Sequence, residues 1–572
     1  MSKLSACMHQ VAEKPRITTE HNAQPFEFLA NLVRCGVFLG ITASLLGCGP
    51  DKGGAGANNS AAGVTHSIAD ERTLKRGLPG EPRTLDPQLA DDTFSLQVTG
   101  DLYEGLTTED RRGAIVPGAA QSWSVDDTGT IYTFQLRPNA KWSDGTQVVS
   151  TEFVEGLRRA VDPKTASGSA ALLSVIKGAS AITAGHTKIT DLGVTAINKS
   201  SIRIVLEHPA PFILQILAQP VASPVHMVQQ ASPTESRQQT NLASNGPYIL
   251  VKRVPNSFIE LARNPDYWDA GNVAIHTVRY INSESEATEL REYIAGDLDM
   301  TFTIPMPDFK RISQQYGQEV QTAPILATLY LALNLSAPPL KDSVTIRQAL
   351  SMAIDREAIS DHVMMGVAPA YSFVAEGVTG YRLPEYEWSK WSRGRQLSYA
   401  RDLLEHAGYS AKNPLHLRLY YNRDEGIQRI MVAVAGGWKQ NLGIESELIN
   451  DEFRVFLAGR KDRSRWDVAR IGWNADYDDP ASFLDVFAES EEQNDPGYNS
   501  DKFNRLVDES RVEPEPKRRF ELLRQSEQVL LADYPIIPIY FYKARRLVKP
   551  YLGGAEISPM NHCHSKHLYW IG

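Results

Sequence analysis

Short alternating runs and longer amphipathic runs take turns along this chain, and that mixture limits the possible folds more than any other feature. "GTIYTFQLRPNAKWSDG", Gly129 to Gly145, alternates through "YTFQL" with the period of a half-buried strand. It then breaks at the turn-forming "SDG". "STEFVEGLRRAVDP" predicts a helix capped by Ser150 or Thr151 and stopped before Pro163. "SIRIVLEHPAPFILQILA" predicts a strand, a Pro-marked turn and an apolar helix. In "TIRQALSMAIDREAISDHV", Thr345 to Val363, Ile346, Ala349, Leu350, Ala353 and Ile354 recur at helical spacing, which predicts one helix packed on a core. "IQRIMVAVAGGWKQNLGI" predicts another, followed by the strand-like "ESELIN". Strands and helices in this order predict an α/β body.

The 572 residues suffice for two to four domains. A net charge of −9 leaves no basic footprint, which argues against nucleic acid as a partner. No apolar run reaches the roughly 18–20 residues of a membrane-spanning helix. Motif chemistry for an enzyme is thin: H-E-x-x-H, G-x-S-x-G, the Walker loop and G-x-G-x-x-G are all missing. "SVIK", Ser174 to Lys177, fits the S-x-x-K of penicillin-interactive serine enzymes, but "KTG" is absent and "SDG" replaces "SDN". Those residues are expected on a helix surface. No catalytic residue and no cofactor is expected.

Near the start, "CGVFLGITASLLG" (Cys35–Gly47) is a 13-residue apolar run preceded by Arg34. That length suits the core of a secretory signal. It ends in "LLGC", which resembles a bacterial lipobox, with Cys48 as the lipid-bearing residue. "GPDKGGAGANNSAAG" after it has no apolar pattern and reads as a tether with a mean reach of roughly 20 Å. Residues 1–47 are therefore expected to be a signal peptide and 48–70 a lipidated cysteine with its tether. Of four cysteines, only Cys563 then remains in the body, so no internal disulfide is expected.

"RIGWNADYDDP", Arg470 to Pro480, crowds Asp476, Asp478 and Asp479 beside aromatic and amide groups. Its residue types fit a metal site, an acid/base pair, a solvated turn or the receptor for a positive group. "VARIGW" before it reads as a strand, so Arg470 and Asp476 are separated by at most about 20 Å. At the C-terminus, "NHCHSKH" offers His562, Cys563, His564 and His567 as metal ligands of a metal or haem receptor. No metal site is expected there, because these residues fall away from the cleft proposed next.

A dozen stretches in order carry a resemblance over nearly the whole body. They include "RTLDPQLA", "DLYEGL", "AKWSDGTQV", "FVEGLRRAVDPKTAS", "SNGPYIL", "RNPDYWD", "GDLDM", "IRQALSMAIDRE", "DVARIGWNADYDDPASFLDVF" and "ARRLVKP". Together they resemble the peptide-type solute-binding proteins of bacterial ABC importers, most closely the oligopeptide-binding proteins. The resemblance implies a three-domain, two-lobed periplasmic-binding-protein-like fold (type II, peptide-binding subclass) whose lobes close about a hinge. Domain I would comprise 71–103, 227–326 and 543–572, domain II 104–226 and domain III 327–542. The implied molecule is a monomer whose partners are short peptides, an ABC permease and, through its lipid, a membrane. A cell-wall (murein) peptide receptor is the alternative on the same fold.

The same resemblance assigns the site. Asp476 would receive the ligand's α-ammonium, a fitting role for an acceptor-only group. Gly472, Trp473 and Asn474 would offer main-chain groups to an extended guest, as in strand addition. Asp478 and Asp479 are expected to shape the turn and face water. Arg470 and Arg460 would meet the guest's carboxylate, with Lys461 as the neighbour to which the second role shifts if the register slips. Asp91 and Thr93 would touch the peptide backbone, Phe302 and Thr303 replace a Tyr–Asn pair, and Tyr330 and Tyr542 would line pockets. Ala327 and Asn474 stand where relatives carry a disulfide. Ala332, Ala337, Ile427 and Ser169 replace Glu, Lys, His and Tyr around the pockets, so the relatives' range of peptide lengths does not carry over.

Overall fold

Three separate β-sheets, each built by a different stretch of chain, frame the molecule. The computed structural model describes residues 72–226, 242–410, 412–488 and 493–572, which pack as one compact unit. The expected signal peptide, Cys48 and tether lie outside the described residues. In the first sheet the order is Thr73–Leu78, Thr277–Asn282, Phe258–Arg263 and Tyr248–Val254, parallel at the first pairing and antiparallel thereafter. The second is wholly antiparallel, with Ala120–Val125, Ile131–Leu136, Ser201–Val205 and Val194–Asn198 in that order. Its strand Ile131–Leu136 alternates half-buried and buried residues, which is the pattern read in "YTFQL".

Six strands make the third sheet: Ala368–Pro369, Ile536–Leu547, Val320–Leu333, Val468–Asn474, His416–Asn422 and Glu445–Asp451. Two apolar clusters cover it, one holding Leu329, Trp438 and Ile539, the other Tyr330, Phe373 and Trp466. Helix Glu425–Leu442 presents Ile430, Met431, Val434 and Trp438 to the first of these and stops at Gly443, whose φ of 69° suits a residue without Cβ. This is the helix expected from "IQRIMVAVAGGWKQNLGI", and "ESELIN" follows it as a strand.

Two of the six strands are long. Val320–Leu333 and Ile536–Leu547 run antiparallel, and their register shifts between Pro324 and Thr328. The expected boundaries at 326/327 and 542/543 fall inside this shifted pair. There three residues of one strand face a single residue of the other, so the two hydrogen-bonded strands are locally irregular at that point.

Two helix readings need correction. Ser150 does not cap its helix: Val149 does, and the Glu152 carboxylate accepts the Val149 N–H at 2.9 Å. The Ser150 hydroxyl is committed instead to the carbonyl of Asn198 on the neighbouring strand. The run from Thr345 to Val363 is not one helix. Val344–Ala353 ends at Ile354, and a new turn begins with Asp355, which accepts the Ala358 N–H at 2.9 Å. The break points the buried Arg356 guanidinium at the carbonyls of Ser351, Ala370 and Pro538.

Helix Pro516–Asp533 carries a buried carboxylate, Glu527, which accepts the N–H groups of Phe373 and Val374 at 2.8 Å each and the Tyr381 hydroxyl. Burial pushes its carboxyl up to about 7, against the donors that favour the charged form. A raised pKa means the folded state holds its proton more tightly. The group's contribution to stability is therefore complete below about 4.5 and is lost as the pH rises through about 7. Urea unfolding of Glu527→Gln and the parent at pH 5 and pH 8 should show the variant gaining relative to the parent at the higher pH.

Candidate functional site

Strand Val468–Asn474 sits inside the third sheet, antiparallel to Val320–Leu333 on one side and parallel to His416–Asn422 on the other. Its side chains alternate, so Ile471 and Trp473 point to one face and Arg470, Gly472 and Asn474 to the other. Ile471 is buried, and the Trp473 indole N–H donates to the Ser482 carbonyl at 2.7 Å. On the opposite face the guanidinium of Arg470 donates to the Tyr542 hydroxyl at 2.9 Å and to the Asn422 amide oxygen at 3.3 Å. No carboxylate of the described residues pairs with it. Gly472 makes this contact possible, since a Cβ there would lie 2.8 Å from the Tyr542 hydroxyl. Ala327 lies directly opposite Asn474, so the two positions where relatives carry a disulfide do face each other.

The pairing continues one step beyond the strand, where the Ala475 N–H donates to the Leu326 carbonyl. Asp476 follows, held through its N–H to the Ser482 hydroxyl at 2.8 Å and through its carbonyl by the Gln219 amide at 2.6 Å. Water reaches its carboxylate, yet protein surrounds it on most sides. That crowding alone pushes its pKa up to about 6, with no cation to oppose it. Positions 470, 472 and 474 thus share one side of the strand, and Asp476 stands in the bend just past its end. Among the described residues, a guanidinium without a carboxylate stands on the strand and a carboxylate without a cation just past it.

The neighbouring aspartates have different fates. Asp478 accepts from the Thr379 N–H at 2.9 Å and hydroxyl at 2.6 Å. Asp479 does shape the turn, accepting the Ala481 N–H at 2.9 Å, but it does not face water. It is buried in a two-pronged ion pair with Arg519, at 2.6 and 2.8 Å. Phe212 stacks on Tyr477 at 4.2 Å, under the same guanidinium, and Gln215 bonds the main chain of Asp478. Phe212, Gln215 and Gln219 therefore grip the segment after the strand. Nothing in "PFILQILAQP" marked them, because their partners lie some 260 residues away.

A second group forms among the N-terminal elements. Asp91 pairs with Arg83 on the surface, and Thr93 opens helix Thr93–Leu102, which Asp92 caps. The next residue, Phe94, meets Phe302 edge to face at 5.7 Å. Residues 91–94 and 302–303 are thereby brought together. Glu289, which sequence reading missed, fixes the Phe302 main chain by accepting its N–H at 2.6 Å. Burial pushes that carboxyl up to about 8.

Two assigned residues are otherwise engaged. Tyr330 is buried between Phe373 and Phe487, at 5.1 and 6.1 Å, so it presents core rather than pocket surface. Arg460 pairs at 2.9 Å with the buried carboxylate of Asp495, and Lys461 reaches that carboxylate too, at 3.4 Å. Ser174 is exposed on a short 3-10 helix, Ala170–Val175, and Lys177 is exposed just after it.

Stripping one partner from a buried ion pair costs far more than from an exposed one. Arg519→Ala should lower the unfolding free energy by about 3–5 kcal/mol, because Asp479 is left charged and buried. Arg429→Ala, which breaks the exposed pair with Glu425, should cost no more than about 1 kcal/mol in the same denaturant titration.

Comparison with known proteins agrees with this geometry. The sequence pattern of the bacterial extracellular solute-binding proteins, family 5 (middle part), matches residues 114–495. The chain is 37% identical over 516 residues to the periplasmic oligopeptide-binding protein OppA of Salmonella typhimurium, covering 89% of this chain and 94% of that one. It is 34% identical to the periplasmic murein peptide-binding protein MppA of Escherichia coli, over 88% and 94% of the two chains. The solved structure of Burkholderia pseudomallei OppA superposes with a TM-score of 0.76 at 36% identity, over 88% of this chain and all of that one. These likenesses, on a mixed α/β body, show that the chain belongs to family 5 of the bacterial extracellular solute-binding proteins and has its two-lobed α/β fold.

Proposed function

We propose that this protein is an extracytoplasmic receptor that captures short peptides between its lobes, delivers them to an ABC permease and catalyses no reaction itself. A receptor for many sequences must draw its affinity from what all peptides share: the main chain, the ammonium and the carboxylate. One observation carries the reading. Asp476 is a water-accessible carboxylate with a raised pKa and no counter-cation among the described residues, in the bend just past the strand that carries Arg470. A guest ammonium would supply the missing charge and accept no proton in exchange. Strand-like main-chain bonding along 472–474, with Tyr542, Phe302, Thr303, Asp91 and Thr93 around the guest, completes the proposed contacts. Bridging waters would let the side-chain pockets adapt to different residues. Arg470 is the better candidate for the guest carboxylate, since Arg460 is already neutralised by Asp495.

Likeness to MppA supports a second reading, a murein-peptide receptor, because such ligands present the same two end charges. Mass spectrometry of material that co-purifies with the protein separates the two. A mixture of three- to five-residue peptides supports general uptake, and a single wall peptide supports recycling.

If Asp476 holds the ammonium, Asp476→Ala should abolish calorimetric binding of a tripeptide while leaving the fold intact. N-acetylation of that tripeptide should do the same to the parent. Equal affinity for blocked and free peptides would overturn the assignment. The sign with pH follows from the raised carboxyl: protonating Asp476 removes the acceptor charge, so affinity falls as the pH drops through about 6. At pH 5 binding should be roughly tenfold weaker than at pH 7.5.

The anchor belongs to the same reading. "LLGC" followed by a Gly-rich tether supports lipidation of Cys48 and a body held beside its permease on a flexible leash. Cys48→Ser should move the protein from the membrane fraction to the soluble extracytoplasmic fraction on immunoblots.

A further inference from the structure

The C-terminal segment brings together a set of donors that peptide capture does not use. Asn561 to His567 passes the hairpin formed by Thr107–Glu109 and Ile115–Pro117. The segment is sorted by side: His562 and His564 turn toward Glu109, while Cys563 between them is buried in the core. The Cys563 carbonyl there accepts from Arg76 at 2.8 Å and Gln97 at 3.1 Å. The sequence motif "NHCHSKH" thus splits, and its thiol is not part of the cluster.

His562 Nδ1 lies 3.0 and 2.9 Å from the two carboxylate oxygens of Glu109, and His564 Nε2 lies 4.0 Å from the nearer one. One donor atom from each of the three residues falls within 4.8 Å of the others. Glu109 itself is buried, and its strand is braced from outside the cluster by His567, whose Nε2 is 3.1 Å from the Glu109 carbonyl. Gly100 makes room for the second imidazole: a Cβ there would come within 3.0 Å of His564 Cε1 and 3.2 Å of Nδ1. Lys566 is the nearby cation, and it is drawn aside by Thr108 at 2.6 Å and Glu104 at 3.4 Å.

An ion pair between His562 and Glu109 explains only part of this. It leaves the His564 nitrogen at 4.0 Å, beyond a hydrogen bond, with its buried Nδ1 unpartnered among the described residues. A cation between the three groups takes one ligand atom from each of them, His564 included. Bonds of about 2.0–2.2 Å in a tetrahedron place ligand atoms roughly 3.3–3.6 Å apart, so small side-chain rotations close the present spacing. Two imidazoles and a carboxylate form a borderline nitrogen and oxygen set suited to zinc, and His562 is exposed enough to admit solvent as the fourth ligand.

We propose that Glu109, His562 and His564 form a zinc site that clips the C-terminal segment to the hairpin, joining residues 453 positions apart. A metal that binds only the folded chain stabilises it by mass action. The site is independent of the peptide groove and would stand even if the proposed function were wrong.

The test uses the full chain, purified without a polyhistidine tag and stripped with chelator, then titrated with zinc chloride. Bound zinc is counted by equilibrium dialysis, and unfolding is followed by circular dichroism. The expected result is one zinc per chain and an unfolding temperature that climbs with zinc concentration. His564→Ala and Glu109→Gln should weaken binding by about 100-fold or more and remove that climb, while His567→Ala should cost about tenfold through lost support. Cys563→Ser should leave zinc binding unchanged. His562→Gln, at the half-buried and most accessible of the three ligands, should likewise weaken zinc binding and keeps the test alive if a more buried variant fails to fold. Absence of stoichiometric uptake by the parent, or uptake undiminished in the His562→Ala/His564→Ala double variant, would overturn the proposal.

Discussion

A carboxylate that water can reach but no cation neutralises is costly to maintain, and the chain around Asp476 is arranged to maintain one. Crowding raises its pKa to about 6 without an opposing charge among the described residues. Three aspartates within four residues show that this is a choice of place rather than of residue type. Asp479 is satisfied by Arg519 and Asp478 by Thr379, whereas Asp476 is held only by its main chain, through Ser482 and Gln219. Binding at such a group depends on rigidity. If the main chain could relax, the carboxylate would move to bulk water and its affinity for an incoming cation would fall.

That rigidity comes from the sheet. Arg470, Gly472 and Asn474 share one face of a strand that is paired along its whole length with Val320–Leu333 and at Val468 and Ala469 with His416–Asn422, so their spacing is set by backbone geometry rather than by loop conformation. Gly472 keeps the middle of this face low, letting Tyr542 and Arg470 meet across it. The strand therefore fixes the position of Arg470, while Asp476, in the bend beyond its end, is held by Ser482 and Gln219.

How much of this could be read in the sequence depends on the range of the cause. The period of "YTFQL", the helix from Glu425 and the strand "VARIGW" are local, and each was found where the text placed it. The break at Ile354 was hidden because Arg356 turns inward to carbonyls as distant as Pro538. Asp479 reads as a turn residue until Arg519 arrives from a helix 40 residues on, and Arg460 reads as a free cation until Asp495 does. Tyr330 alternates correctly but lies on the face that Phe373 and Phe487 cover. His562 and His564 were visible as ligands; the carboxylate that joins them, Glu109, was not. The group assignments within the groove came from family resemblance, which carries long-range information that residue spacing lacks.

The two buried glutamates connect these observations to the long strands. Glu289 fixes the Phe302 main chain, and next to it Thr301 exchanges two hydrogen bonds with Leu547, the last residue of one long strand. Glu527 fixes Phe373, whose carbonyl accepts the Thr328 hydroxyl just past the register shift of the other. One long strand is thus fastened at its last residue, Leu547, and the other in its interior, at Thr328 just past the irregular stretch from Pro324. Burying a carboxyl at each fastening costs stability near neutral pH, but it ties irregular backbone through two or more donors where a smaller side chain could tie only one.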